Sequence, residues 1–175
     1  MQTILLVDGY NMVGAWPRLV RLRDQHSLEA ARLELIEMLT NYSAFRGYRT
    51  VVVFDAQMVV SPLHWEAQGE SLEVCFTEYE QTADTFIEKY SYQLLRAGHE
   101  RVRVATSDRA QQVLILAQGA GWLSAHSLWE EVKHTEQQIR ENLKKRRAQP
   151  QRTLGDRLDP KVRAQFSQWR CGEKS

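Results

Sequence analysis

Three apolar runs in this chain each stop on an aspartate. Ile4-Leu5-Leu6-Val7 ends at Asp8, Val51-Val52-Val53-Phe54 at Asp55, and Val102-Arg103-Val104-Ala105-Thr106-Ser107 at Asp108. Such runs, separated by stretches of helical period, predict buried strands of a parallel sheet with helical crossovers. The strands of such a sheet point the same way, so their carboxyl ends share the edge where ligands bind. Aspartates about a hundred residues apart in sequence are therefore expected to meet there. A fourth, Asp84, opens a helical pattern after Glu78-Tyr79-Glu80-Gln81-Thr82-Ala83. Gathered carboxylates repel one another unless a cation or shared protons hold them together. A metal site is the first expectation.

The rest of the pattern fits an α/β chain. Residues 3–8, 50–55, 72–76 and 101–106 read as strands, with a last short strand at Trp122-Leu123. Residues 28–46 read as a helix with Ser27 as N-cap and Gly47 as its stop, and 82–97 as a helix ended by Gly98. Residues 108–118 and 127–147 are also of helical period, and 56–71, with a Pro and a Gly and no clear period, reads as a loop. Right-handed crossovers place helices on both faces, giving a three-layer α/β/α arrangement with a mainly parallel central sheet. Beyond 147, Gln149-Pro150-Gln151 is a linker signal. Leu154, Leu158, Val162 and Phe166 recur every four residues, as in a short helix. The expected division is a domain over 1–147 and a basic, helical C-terminal extension over 148–175.

At 175 residues the chain is long enough for one domain with a full core. No apolar run approaches the roughly 20 residues that span a bilayer, so no membrane association is expected. Met1-Gln2-Thr3 runs straight into the first strand, so no leader peptide is expected. Cys75 and Cys171 are too few and too far apart for a disulfide framework or zinc knuckle, so a reducing cytoplasm is the expected setting. The net charge of +1 conceals an asymmetry: residues 133–175 carry +7 and residues 1–132 carry −6. An acidic body with a basic tail suits a cation site coupled to an arm that binds polyanions, and it fits nucleic acid better than a small neutral substrate.

Each candidate residue has a plain structural alternative. In Asp8-Gly9-Tyr10-Asn11, Gly9 permits a tight turn, so Asp8 and Asn11 can both face the sheet edge with hard oxygen donors suited to Mg²⁺ or Mn²⁺. The same residues are common turn formers. Asp84 and Glu88 share a helix face, where acidic residues also suit the helix dipole. In Thr106-Ser107-Asp108, Asp108 is either a ligand or a helix cap, and Ser107 a candidate to orient water or a phosphate oxygen. Asp55 is a ligand, a supporting partner, or simply exposed. For substrate contact the candidates are Arg18, Arg21 and Arg23, with Trp16 among them, and Arg109. Arginine clamps and aromatic stacking hold single-stranded RNA, whereas a solvated helix face would look the same. Lys144-Lys145-Arg146-Arg147 is a denser basic cluster, suited to RNA backbone or to solvating a helix end. The five histidines show no metal-protease or paired zinc spacing, and neither a Walker loop nor a G-x-S-x-G string is present.

Four strings in order carry a family resemblance: Val7-Asp8-Gly9-Tyr10-Asn11, Val53-Phe54-Asp55-Ala56, Thr82-Ala83-Asp84-Thr85-Phe86-Ile87-Glu88 and Thr106-Ser107-Asp108. They resemble the YacP-like branch of the NYN-domain proteins, within the PIN-like nuclease fold, and Leu158-Asp159-Pro160-Lys161-Val162-Arg163 is similar to the tail of that branch. The resemblance implies a metal-dependent endoribonuclease. Its acidic triad would be Asp8, Asp84 and Asp108, with Asn11, Asp55, Ser107 and Glu88 assisting. It also implies Mg²⁺ or Mn²⁺ as cofactor, RNA as substrate and the ribosome as a partner. Gln111-Gln112 departs from the branch, which allows an acidic residue in that stretch, so a further ligand there is left open. The rivals are a non-catalytic RNA- or ribosome-binding module on the same fold and a metal-dependent phosphatase. The latter lacks the D-x-D expected after a first strand, since Asp8 is followed by Gly9-Tyr10.

Overall fold

The structure is a computed structural model that describes residues 2–56, 62–99 and 101–148. The elements are β1 (Ile4–Asp8), α1 (Gly9–Ala15), α2 (Pro17–Gln25), α3 (Leu28–Arg46), β2 (Arg49–Phe54), β3 (His64–Gln68) and β4 (Leu72–Phe76). They continue with α4 (Ala83–Arg96), β5 (Val102–Ala105), α5 (Arg109–Gln118), β6 (Gly121–Leu123) and α6 (Ala125–Ala148). The expected linker at 149–151, the helix through Leu154 and Phe166, and the motif at 158–163 lie outside the described residues. Packing divides the chain into compact units at 1–139 and 140–175, so the division falls within α6.

One six-stranded sheet, in the order β3-β4-β2-β1-β5-β6, forms the centre of the first unit. Only the β3–β4 pair is antiparallel; the other four pairings are parallel. Buried side chains fall into two clusters. Leu5, Val7, Val52 and Phe54 pack with Met12, Leu19, Leu35, Leu39, Leu128 and Val132 from α1, α2, α3 and α6. Leu6, Val51, Val53 and Val104 pack with Phe86, Ile87 and Ile115 from α4 and α5. Alternate residues of each central strand thus enter opposite cores, as period-2 side chains buried on both faces must. The chain leaves β1 for β2 on one side and reaches β5, by way of α4, on the other. The carboxyl ends of β1 and β5 therefore flank a point where the strand order reverses, the usual ligand crevice of an open α/β sheet.

Two stretches differ from the sequence expectation. His64–Gln68, read as loop, is an edge strand turned back onto β4 through Gly69, whose φ of +74° lies in the left-handed region. Its first four residues are exposed, so neither a buried face nor an apolar alternation marked it. Residues 9–25, given no element, form two short helices hinged at Trp16, with Pro17 at the first position of α2. Trp16 is 1% exposed and its indole N–H donates to the Ala125 carbonyl at 2.9 Å. It is a core anchor joining α1–α2 to the start of α6, and cannot stack a substrate base.

Candidate active site

The turn after β1 is built around Asp8. This residue is 5% exposed and is the N-cap of α1, its Oδ1 accepting the Asn11 backbone N–H at 3.1 Å. Its Oδ2 accepts the Asn11 carboxamide N–H at 2.7 Å, and the Asn11 Oδ1 accepts the Ser107 backbone N–H at 3.3 Å. The Asn11 carboxamide is thus engaged at both its nitrogen and its oxygen. It spans from β1 to the loop after β5, fixing Asp8 and holding the crevice walls in register. Gly9 differs from expectation. It begins α1 and has no positive φ. A Cβ there would meet the Phe54 ring at 2.3–2.7 Å, so glycine is required by close approach rather than by turn conformation.

Asp55 follows β2, and its Oδ1 accepts the Ala83 backbone N–H at the start of α4. Burial raises its carboxyl above the usual range; the Ala83 N–H opposes this and the Asp8 charge adds to it. Asp84 lies in the first turn of α4, capped by Thr82. Burial, then the charges of Asp8, Asp108 and Asp55, push its carboxyl up to about 6. Its Oδ1 is buried without a hydrogen-bond partner. Asp8, Asp55 and Asp84 line one open cleft of about 570 Å³ with Tyr10, Asn11, Gly14, Ala15 and Ser107. Three aspartates thus share the cleft at the sheet edge, and the charge of Asp108 also reaches Asp84.

The remaining candidates are placed differently. Asp108 is not among the cleft-lining residues. Its Oδ1 accepts the backbone N–H of Ala110 at 2.7 Å and of Gln111 at 3.4 Å, capping α5. Glu88 lies one turn beyond Asp84 on α4 and does not line the cleft. On α2, Arg18 pairs with Glu34, Arg21 donates to the Pro17 carbonyl, and Arg23 pairs with Asp24 at 2.8 Å. These contacts fit the solvated-helix alternative better than a phosphate clamp. Arg109 is the exposed first residue of α5, and Lys144, Lys145, Arg146 and Arg147 are exposed on the last turns of α6.

One residue of the site was not singled out as functional. Gln111 is 4% exposed, and its Nε2 donates to the Asp84 backbone carbonyl at 3.2 Å, while its Oε1 is buried without a partner. It ties the first turn of α5 to the first turn of α4 and so sets where Asp84 stands. Its only sequence signal is its register, three residues after a capping aspartate at a strand end.

The donor set is of the hard oxygen kind that suits Mg²⁺ or Mn²⁺. The orphaned Asp84 oxygen and the raised Asp84 carboxyl are what a group of carboxylates shows when a positive charge would relieve it. Among the described residues, no three His, Cys, Asp or Glu side chains are already disposed as a closed metal-binding group. The fit to a cation therefore rests on donor chemistry rather than on a finished coordination shell.

The model of the YacP-like NYN domain matches residues 5–171. The chain belongs to the YacP-like NYN-domain family. A relative from Bacillus subtilis (strain 168), described as the uncharacterized protein YacP, is 40% identical over 171 residues, covering 97% of this chain and 98% of that one. The crystal structure of Rae1 (YacP) from Bacillus subtilis is similar with a TM-score of 0.73 and 39% identity, covering 98% of this chain and 97% of that chain. A point mutant of the same protein gives a TM-score of 0.72 at 35% identity, with 96% and 99% covered. The mostly parallel six-stranded sheet is therefore the fold of the YacP-like NYN domain, a PIN-like nuclease fold. No helix among the described residues is long and apolar enough to cross a membrane.

Proposed function

We propose that this YacP-like NYN protein is a metal-dependent endoribonuclease that cuts single-stranded RNA in the cleft at the ends of β1, β2 and α4. The observation that carries the reading is the buried, unpartnered Oδ1 of Asp84 beside Asp8 and Asp55. A carboxylate so placed destabilises the apo protein, and a site that keeps it is expected to use its charge. Asp8 and Asp84 would hold Mg²⁺ or Mn²⁺, with Asp55 adding an oxygen from the end of β2 and Asp108 adding negative charge from the start of α5. When bound, such a cation acidifies a water and neutralises charge developing on the scissile phosphate. Asn11 holds the Asp8 carboxylate in one orientation through two hydrogen bonds. Gln111 positions Asp84 through its main chain. Ser107, exposed in the cleft lining, would contact a phosphate oxygen.

The substrate class follows from shape and charge. An open acidic cleft repels a free polyanion unless a cation and basic residues elsewhere compensate. Arg109 at the start of α5 and the Lys144–Arg147 cluster supply positive charge suited to an RNA backbone or to ribosomal RNA. The ribosome is the partner that the family resemblance implies, with the cytoplasm as the setting. A binding module without catalysis would gain nothing from concentrated carboxylates. Incubation of the protein with labelled single-stranded RNA, alone and on ribosomes, tests the reading. Cleavage that requires Mn²⁺ or Mg²⁺ and stops with a chelator supports it. Hydrolysis of small phosphate esters with intact RNA would favour a phosphatase instead.

A further inference from the structure

An aromatic row leads away from the cleft along the carboxyl edge of the sheet. Tyr10, in the cleft lining, meets Phe54 edge-on with centroids 5.0 Å apart. Phe54 stacks on Phe76 at 5.8 Å and 24°, and Phe76 on His64 at 6.4 Å and 23°. The last three sit on neighbouring strands in register, Phe54 opposite Phe76 and Phe76 opposite His64, so the row runs outwards from β2 through β4 to β3. Arg32, on the second turn of α3, lies over it, its guanidinium 5.9 Å from the Phe54 centroid and 5.8 Å from that of Phe76.

From Phe54 outwards, burial falls along this row. Phe54 is fully buried and wedged against Gly9, Phe76 is half-buried, and the His64 side chain is 61% exposed. A row serving only as core would close over its outer ring. This one opens at the sheet edge, with a cation above it and an imidazole steadied by Glu66, whose Oε1 is 3.2 Å from the His64 Nε2. Stacked planar rings with a guanidinium alongside are what an unpaired base and its phosphate require. At about 4.8 Å per strand, the start of β3 lies roughly 14 Å from the end of β1. A small phosphate ester has no use for a contact at that distance. A strand of RNA crossing the cleft would be long enough to reach it.

We propose that Phe76, His64 and Arg32 form a nucleotide subsite in which an unpaired RNA base stacks on the imidazole and the half-buried phenyl ring while Arg32 holds its phosphate. This assignment rests on the reading of the cleft as a ribonuclease site. It gives the substrate strand a direction, from the carboxylates towards β3, and demands a base that is free to stack.

The full-length chain is titrated into a labelled short single-stranded RNA in chelator, with anisotropy as readout, and cleavage kinetics are then measured in Mn²⁺. His64→Ala and Arg32→Ala are each expected to weaken binding roughly tenfold. They should raise KM with kcat within about twofold of wild type. One abasic nucleotide, moved along the RNA, should cause the same loss at a single position and no further loss in His64→Ala. Wild-type affinity and KM in both variants, with RNA still cleaved, would overturn the subsite and leave the ribonuclease reading intact. An equal loss on duplex RNA would also overturn it, since paired bases cannot stack there. RNA neither bound nor cleaved by the wild-type protein, free or on ribosomes, would overturn the reading and the subsite together.

Discussion

Asp84 carries the clearest energetic signature in the cleft. Its carboxyl titrates at about 6 in the folded protein, above its ordinary value of 3.8. The folded state therefore holds a proton that the unfolded state has released, and stability from this group falls as pH rises from about 4 to about 6. Thermal melts of the metal-free protein should show this negative slope, whereas Mn²⁺ at pH 7 should raise the melting temperature by mass action. Asp84→Asn removes the repelling charge. At pH 7 without metal it should melt roughly 2–4 °C higher than wild type while losing the response to Mn²⁺. An unchanged Mn²⁺ shift in that variant would remove Asp84 from the site. Gly9 acts through space rather than charge. Gly9→Ala drives a methyl into the Phe54 ring and should cost about 1–3 kcal/mol in denaturant unfolding.

Among the elements, the turn from β1 into α1 and the loop after β5 act as one unit because Asn11 bridges them. Asn11→Ala leaves Asp8 Oδ2 and the Ser107 N–H without their partner. It should lower cleavage about 10- to 100-fold with little change in RNA affinity, measured as a kcat effect. The aspartates at strand ends were legible because a buried strand, its stop and its polar terminus are all written locally. Helix α3 was legible to the residue, since Ser27 caps it and Gly47 ends it in the left-handed region. The bridge made by Asn11 was not, because its partner Ser107 is 96 residues away and nothing local says which carboxamide atom faces which wall. Nor was Gln111's, whose value lies in a bond to a neighbouring helix. Strand β3 escaped notice for the opposite reason: its exposed side chains leave no apolar pattern, and only pairing with β4 makes it a strand.

For the whole molecule, the strand order turns scattered aspartates into neighbours, because β1 lies between β2 and β5 with all three parallel. On the proposed reading, the acidic cleft would cut RNA and the basic end of the chain would recruit it. Deleting residues 148–175 should weaken association with RNA or ribosomes and flatten its salt dependence, while cleavage of short RNA persists. Loss of both together in a folded protein would place the tail in catalysis instead. The most direct test of the cleft is the single-turnover rate at which the wild-type and Asp8→Asn proteins cut labelled single-stranded RNA, free and on ribosomes, as Mn²⁺ is raised. The expected result is wild-type cleavage that saturates with metal and falls at least about 100-fold in Asp8→Asn. Cleavage by Asp8→Asn at the wild-type rate, or by the wild-type protein in excess chelator, would contradict it.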